Sequence, residues 1–101
     1  MEKNKRIALI GMPGCGKSTV GEILAIKLNK KLIDLDDYII KREEKSIDEL
    51  FEIGEYFFRE AETRALKKVA TEENVILSTG GGIIKEKENS NILGKNFIVV
   101  F

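Results

Sequence analysis

Gly11-Met12-Pro13-Gly14-Cys15-Gly16-Lys17-Ser18 stands directly after a short apolar run, Ile7-Ala8-Leu9-Ile10. It precedes a stretch from Lys17 to Asn29 in which Val20, Ile23, Leu24 and Leu28 recur at helical spacing. The octet matches G-x-x-x-x-G-K-[ST] and lies between a strand signal and a helix signal, the context that a phosphate-wrapping loop requires. Its glycines let several backbone N–H groups face an anion at the positive end of the helix dipole. Lys17 can reach the β- and γ-phosphates of a nucleotide, and the Ser18 hydroxyl can ligate magnesium. The bland alternative is a glycine-rich turn that binds nothing, but the pattern arises by chance in roughly a few per thousand chains of this length at ordinary residue usage. Cys15 reads as a small loop residue rather than a reactive thiol.

The chain outward from this loop alternates strands and helices. Arg6 to Gly11 is nearly continuously apolar, as a buried parallel strand is. Leu32 to Leu35 is a second short strand. Asp36 and Asp37 stand where acidic residues cap helices, so Tyr38, Ile39 and Ile40 open a short helix that ends in the polar run Lys41 to Lys45. Ser46 with Glu49 forms a capping-box pattern for another short helix, closed by Gly54. A longer helix spans about Glu55 to Glu73. At about 100° per residue, Phe58, Ala61, Ala65 and Val69 share its apolar face, Phe57 and Leu66 flank it, and Arg59 and Glu62 fall near its edge. Val75 to Leu77 is a third strand, Ile83 to Leu93 a weaker helical stretch and Asn96 to Phe101 a fourth strand. This order implies right-handed crossovers and an α/β fold, a parallel sheet with helices on both faces. The last strand is apolar on both faces with no helix after it to cover it, so residues 1–101 read as a single phosphate-loop domain, incomplete at its C-terminus.

Composition narrows the function. With 101 residues the chain suits a single core. Hydrophobic content of 43% with 34% charged residues is that of a globular protein rather than a disordered tail. Seventeen basic residues balance seventeen acidic ones, so no net field exists to hold a nucleic-acid backbone or an anionic membrane. Neither partner is expected. Histidine is absent, which excludes imidazole triads and most zinc sites. A single cysteine excludes an intrachain disulfide and suits a cytoplasmic setting. No signal or membrane segment is visible.

Three further segments carry chemistry. Asp34-Leu35-Asp36 closes the second strand, and in open parallel sheets ligands gather beyond the carboxyl ends of strands. One carboxylate can hold magnesium through water while the other accepts a hydrogen bond from a substrate hydroxyl; the plain alternative is a helix cap. Ser78-Thr79-Gly80-Gly81-Gly82 ends the third strand without the acidic residue that many phosphate-loop proteins place there, and Asp34 is available to direct magnesium instead. The glycines allow backbone groups to approach a hydroxylated ligand, although such a run by itself is a flexible turn. Arg59 at the cleft edge offers a planar fork for a substrate carboxylate, against the alternative of an ion pair within its own helix. Lys67, Lys68 and the run Lys85 to Glu88 read as solvated faces.

Taken together, the loop G-M-P-G-C-G-K-S-T, the D-L-D, the G-E-x-x-F-R-x-x-E from Gly54 to Glu62 and the triple glycine resemble the shikimate kinases in order and spacing, across the whole chain. The resemblance implies a nucleoside-monophosphate-kinase-like fold with sheet order 2-3-1-4-5, and transfer of the ATP γ-phosphoryl group to the 3-hydroxyl of shikimate. It implies that Gly14, Cys15, Gly16, Lys17, Ser18 and Thr19 bind ATP, and that Lys17 and Asp36 act in catalysis. Asp36, Arg59 and Gly80, Gly81 and Gly82 would bind shikimate, while Ser18 and, through water, Asp34 would hold Mg2+. A monomer is implied. The family's fifth strand, arginine-bearing lid, second carboxylate-binding arginine and adenine-contacting loop would follow Phe101, so residues 1–101 alone are expected to turn over poorly. A related gluconate or nucleotide kinase shares the loop and aspartates; F-R-x-x-E with the triple glycine separates the readings. A non-catalytic nucleotide-binding fragment is the reading from another class.

The complete loop generates the first prediction. Titration with Mg·ADP should perturb the NMR amide resonances of Gly14 to Thr19, and Lys17→Ala should abolish that response. Perturbation elsewhere with these amides silent would remove the assignment.

Overall fold

The structure is a computed structural model that describes the backbone of residues 6–11 and 14–101 and the side chains of residues 6–11 and 20–101. Among the described residues four strands form, β1 (Arg6–Ile10), β2 (Lys31–Asp34), β3 (Val75–Thr79) and β4 (Ile98–Val100). All pair in parallel in the order β2-β3-β1-β4, which reproduces the first four places of the expected 2-3-1-4-5. Parallel neighbours require crossovers. These are supplied by α1 (Gly14–Leu28) between β1 and β2, by α2 (Leu35–Glu43), α3 (Ile47–Ile53) and α4 (Glu55–Val69) between β2 and β3, and by a 3-10 helix (Gly81–Lys85) with α5 (Lys87–Asn96) between β3 and β4.

Register sorts the side chains of the sheet into two faces. Ala8 and Ile10 of β1 share a core with Ile33, Val75 and Leu77, and with Leu35, Ile39, Leu50, Phe58, Ala61, Ala65, Leu66, Val69 and Phe97 from the flanking segments. On the opposite face Leu9 and Leu32 meet α1 at Gly21, where an added Cβ would lie 2.9 Å from a Leu32 methyl. At the foot of the sheet the buried Arg6 donates from Nε to the Glu72 carbonyl at 2.6 Å and from a terminal nitrogen to the Asn96 carbonyl at 3.4 Å, fastening the turns that lead into β3 and β4.

Several boundaries differ from the sequence reading. The cap of α2 is Asp34, whose carboxylate accepts from the Asp37 N–H at 3.2 Å, rather than Asp36 or Asp37. The helix therefore starts at Leu35, which is fully buried, instead of at Tyr38. β3 runs on through Ser78 and Thr79, because these continue the ladder with Leu9 and Ile10. The stretch after the glycines divides into a 3-10 helix and α5 rather than forming one helix. Of the two faces of β4, only the one bearing Phe97 and Val99 packs on the core; Ile98, Val100 and Phe101 are exposed, as are Ile23, Ile26 and Leu28 of α1. The capping box at Ser46 forms as expected, with both reciprocal hydrogen bonds present.

One residue sets how α4 departs from α3. Gly54 ends α3 and begins α4 at φ 156° and ψ 148°, a conformation that side-chain-bearing residues avoid. No atom lies within 4 Å of where its Cβ would stand, so the constraint is conformational rather than steric. Gly54→Ala should accordingly lower unfolding stability by about 1–3 kcal/mol, read as a shift of the urea midpoint at unchanged slope.

Candidate functional site

The carboxyl ends of β1, β2 and β3 lie side by side. Ile10 is opposite Thr79, and Asp34 is opposite Ser78. The loop that begins at Gly11, the aspartate pair at 34 and 36 and the glycine run at 80–82 thus leave the sheet along one edge, the edge at which parallel sheets bind ligands. Gly11 N–H donates to the Thr79 carbonyl at 2.9 Å, and a Cβ at Gly11 would lie 3.7 Å from the Gly81 Cα, so the phosphate-loop signature and the triple glycine touch. Gly14 to Thr19 form the opening of α1. The side chains of Cys15, Lys17, Ser18 and Thr19 lie outside the described residues.

Arg59 reaches this edge from the second turn of α4. The Glu62 carboxylate accepts from its guanidinium at 3.0 Å, and Glu55 lies 3.6 Å from Nε. Phe51 and Phe58 stack at 4.4 Å, and the guanidinium carbon stands 5.2 Å from the Phe58 ring centroid and 5.9 Å from that of Phe51. Ion pair and aromatic faces together leave the Arg59 side chain 16% exposed, which limits the positions it can take. The guanidinium is pressed against Gly82. A Cβ there would lie 3.1 and 3.2 Å from its terminal nitrogens, so the arginine occupies the space a side chain at 82 would need. Two residues 23 positions apart therefore form one wall, an arginine fork beside bare backbone.

Glu62 was placed by the helical wheel at the edge of the apolar face; the structure puts it deeper, at 4% exposure. Burial pushes its carboxyl above the ordinary 4.5, the Arg59 guanidinium pulls it back in part, and the charges of Asp36 and Glu86 push it further up. Asp36, exposed in the first turn of α2, is thus within electrostatic reach of the Arg59–Glu62 pair. Sequence reasoning offered the ion pair and the carboxylate fork as alternatives for Arg59. The geometry contains the pair and leaves the fork beside the glycines. The helix spacing of three could have signalled Glu62, but its burial could not be read from the chain. On its solvent side Arg59 lines a groove of about 610 Å³ with charges of both signs, Glu55, Glu60, Glu86 and Glu88 beside Arg64 and Lys67.

A magnesium ion fits the oxygen donors at the sheet edge. Asp34 uses Oδ1 for the helix cap, and among the described residues Oδ2 has no hydrogen-bond partner, which leaves it for a water on a hard cation. Beside it, the buried Ser78 hydroxyl has no partner among the described residues, and neither has Thr79. No group of three or more His, Cys, Asp or Glu able to hold a metal occurs among the described residues, so an ion here would depend on loop and phosphate oxygens as well. Among the described residues no helix is long and apolar enough to cross a membrane.

Comparison with known proteins agrees with this geometry. A family model described as shikimate kinase matches residues 13–101. The chain is 50% identical over 99 residues to the shikimate kinase of Clostridium botulinum strain Eklund 17B, covering 98% of this chain and 59% of that protein. It is 48% identical over 98 residues to that of Caldicellulosiruptor saccharolyticus, covering 96% and 57%. Among solved structures, shikimate kinase from Bacteroides thetaiotaomicron superposes with a TM-score of 0.88 at 46% identity, covering 95% of this chain and 55% of that one. The Acinetobacter baumannii enzyme, solved in complex with shikimate, gives 0.88 at 36% identity, covering 97% and 55%. The chain spans about three fifths of the length of the curated relatives it matches. These neighbours give the fold as that of the phosphate-loop kinases of the nucleoside-monophosphate-kinase type.

The raised Glu62 carboxyl makes a signed prediction. A folded-state value above the unfolded one contributes stability that is present below pH 4.5 and lost as pH rises through the folded value. Thermal melts of the wild type and Glu62→Gln across pH 4 to 7 should therefore show the difference moving in favour of glutamine as pH rises. A difference that moved the other way would mean that Arg59, not burial, dominates.

Proposed function

This chain belongs to the shikimate kinase family, and on that premise we propose that the protein transfers the γ-phosphoryl group of ATP to the 3-hydroxyl of shikimate. The observation that carries the reading is the wall made by the Arg59 guanidinium against Gly82, beside the loop that begins at Gly11. A planar fork takes a carboxylate in two parallel hydrogen bonds, and backbone without side chains leaves room for a hydroxylated ring. Asp36, close to that wall, accepts a hydrogen bond from the acceptor hydroxyl and takes its proton as the oxygen attacks phosphorus. The bond from the γ-phosphorus to the β–γ bridging oxygen breaks, and ADP leaves with the negative charge. Lys17 and the loop amides of Gly14 to Thr19 hold the phosphates and stabilise the charge that builds there.

Ser18 directly, and Asp34 through water, would hold Mg2+, which when bound supplies positive charge to the phosphate oxygens. The family match and the acid-binding wall favour shikimate over gluconate or a nucleotide as acceptor. The same reading carries a cytoplasmic monomer with ATP and shikimate as its small-molecule partners.

A charge-assisted hydrogen bond contributes about 1.5–3 kcal/mol. In the full-length protein Arg59→Ala should therefore raise the shikimate KM by about tenfold to a hundredfold, with the KM for ATP little changed in a coupled ADP-release assay. Preferential phosphorylation of gluconate or a nucleoside monophosphate would overturn the assignment.

A further inference from the structure

Asn89 stands in the first turn of α5 with no exposed surface. Its Nδ2 donates to the Ile83 carbonyl at 3.0 Å, and its Oδ1 accepts from the Thr63 hydroxyl at 2.7 Å. A carbonyl only accepts, so the amide orientation is fixed by Ile83, and Thr63 must then be the donor. This single buried amide thereby ties the 3-10 helix to α4. The two points it joins are telling. Ile83 immediately follows Gly82, and Thr63 immediately follows Glu62 and lies four residues, about one turn, beyond Arg59.

The 3-10 helix needs such an outside tie. Its Ile83 N–H reaches the Gly80 carbonyl only at 3.4 Å, near the limit of a useful hydrogen bond. Ser90, the next residue of α5, adds a bond from its hydroxyl to the Ile84 carbonyl at 3.2 Å. The Lys67–Glu88 ion pair at 2.7 Å also links α4 to α5, but both side chains are more than half exposed and contribute little. Asn89 is the buried link of the set, and a buried amide bonded at both its oxygen and its nitrogen holds its neighbours in one arrangement. Directly beyond that link, the guanidinium of Arg59 lies within 3.2 Å of the place a Cβ on Gly82 would take, so a small drift of the glycine segment opens or closes the wall.

We propose that Asn89 is a positioning residue for the acceptor: by joining the Ile83 carbonyl to the Thr63 hydroxyl it sets the spacing between the Gly82 backbone and the Arg59 guanidinium. This rests on the reading of that wall as the acceptor site. Asn89 touches neither substrate; it acts through the two groups that do. Loss of the bridge therefore weakens the acceptor more than the nucleotide, because Asn89 holds the segment at Ile83, next to Gly82, whereas the loop meets that segment at its other end, where the Gly11 N–H donates to the Thr79 carbonyl and Gly11 lies against Gly81.

The test compares Asn89→Leu, Thr63→Val and Thr63→Ser in the full-length protein, with folding monitored by thermal melts and kinetics measured for shikimate and ATP separately. Asn89→Leu and Thr63→Val should each raise the shikimate KM by about tenfold, as misplacement of a binding group does, with the ATP KM within about twofold. Thr63→Ser, which keeps the hydroxyl, should retain wild-type values. Thr63→Val preserves shape and serves if Asn89→Leu folds poorly. On an Arg59→Ala background Asn89→Leu should add no further rise, because both changes act on one wall. Equal rises in both KM values, additivity on that background, or an unchanged shikimate KM in a folded variant would overturn the positioning role. If Arg59→Ala alone left shikimate unaffected, the acceptor-site reading itself would fall.

Discussion

The register of the parallel sheet is the constraint on which everything else depends. Ile10 opposite Thr79 and Asp34 opposite Ser78 bring three segments far apart in sequence to one edge, all leaving it in the same direction. In an antiparallel arrangement alternate strands would deliver these segments to opposite ends. The crossovers enforce the parallel choice, because each strand must return to the same starting end before the next begins. Arg6, bonded to the carbonyls of Glu72 and Asn96, braces that starting end. The opposite end is left free for loops.

At that free end the stabilising interactions and the chemistry conflict. Glu62 is buried among apolar residues of α4, and burial outweighs the help it receives from Arg59. A core leucine there would avoid the desolvation of a carboxylate. What the carboxylate supplies is orientation: Glu62 accepts from the guanidinium and Glu55 lies 3.6 Å from Nε, the rings of Phe51 and Phe58 lie within cation–π reach, and the glycine run lies against its terminal nitrogens. A long, flexible side chain is thereby restricted before any ligand arrives, which lowers the entropy lost on binding.

The elements that mark themselves in the sequence are those whose signal is local. The loop from Gly11 to Ser18, the capping box at Ser46 and Glu49 and the apolar stripe of α4 depend on spacing within a few residues, and each was legible. Errors fell where competing local signals met. Asp34, Asp36 and Asp37 are all acceptable caps, and the choice of Asp34 follows from where β2 stops pairing with β3, which no local pattern encodes. Arg59 and Gly82 are each ambiguous alone. Their contact depends on α4 crossing behind the glycine segment, a tertiary fact. Asn89 was invisible for the same reason, since an asparagine in a weakly patterned polar stretch looks solvated until its amide is seen between two other elements.

The division of labour between the two halves of the edge follows from how each is attached. The loop at Gly11 is covalently continuous with β1 and α1, and Gly11 itself is bonded to the sheet through the Thr79 carbonyl. The acceptor wall is composite, with backbone from the segment after β3 and a side chain from α4. The two parts of that wall meet as a side chain against backbone, and the wall joins the loop only at the seam where the Gly11 N–H donates to the Thr79 carbonyl and Gly11 lies against Gly81. On the proposed reading, changes in α4, in the 3-10 helix or in the amide between them bear first on the acceptor and reach the phosphate loop only through that seam. On that reading, specificity resides in the part of the edge that the sheet does not itself fix.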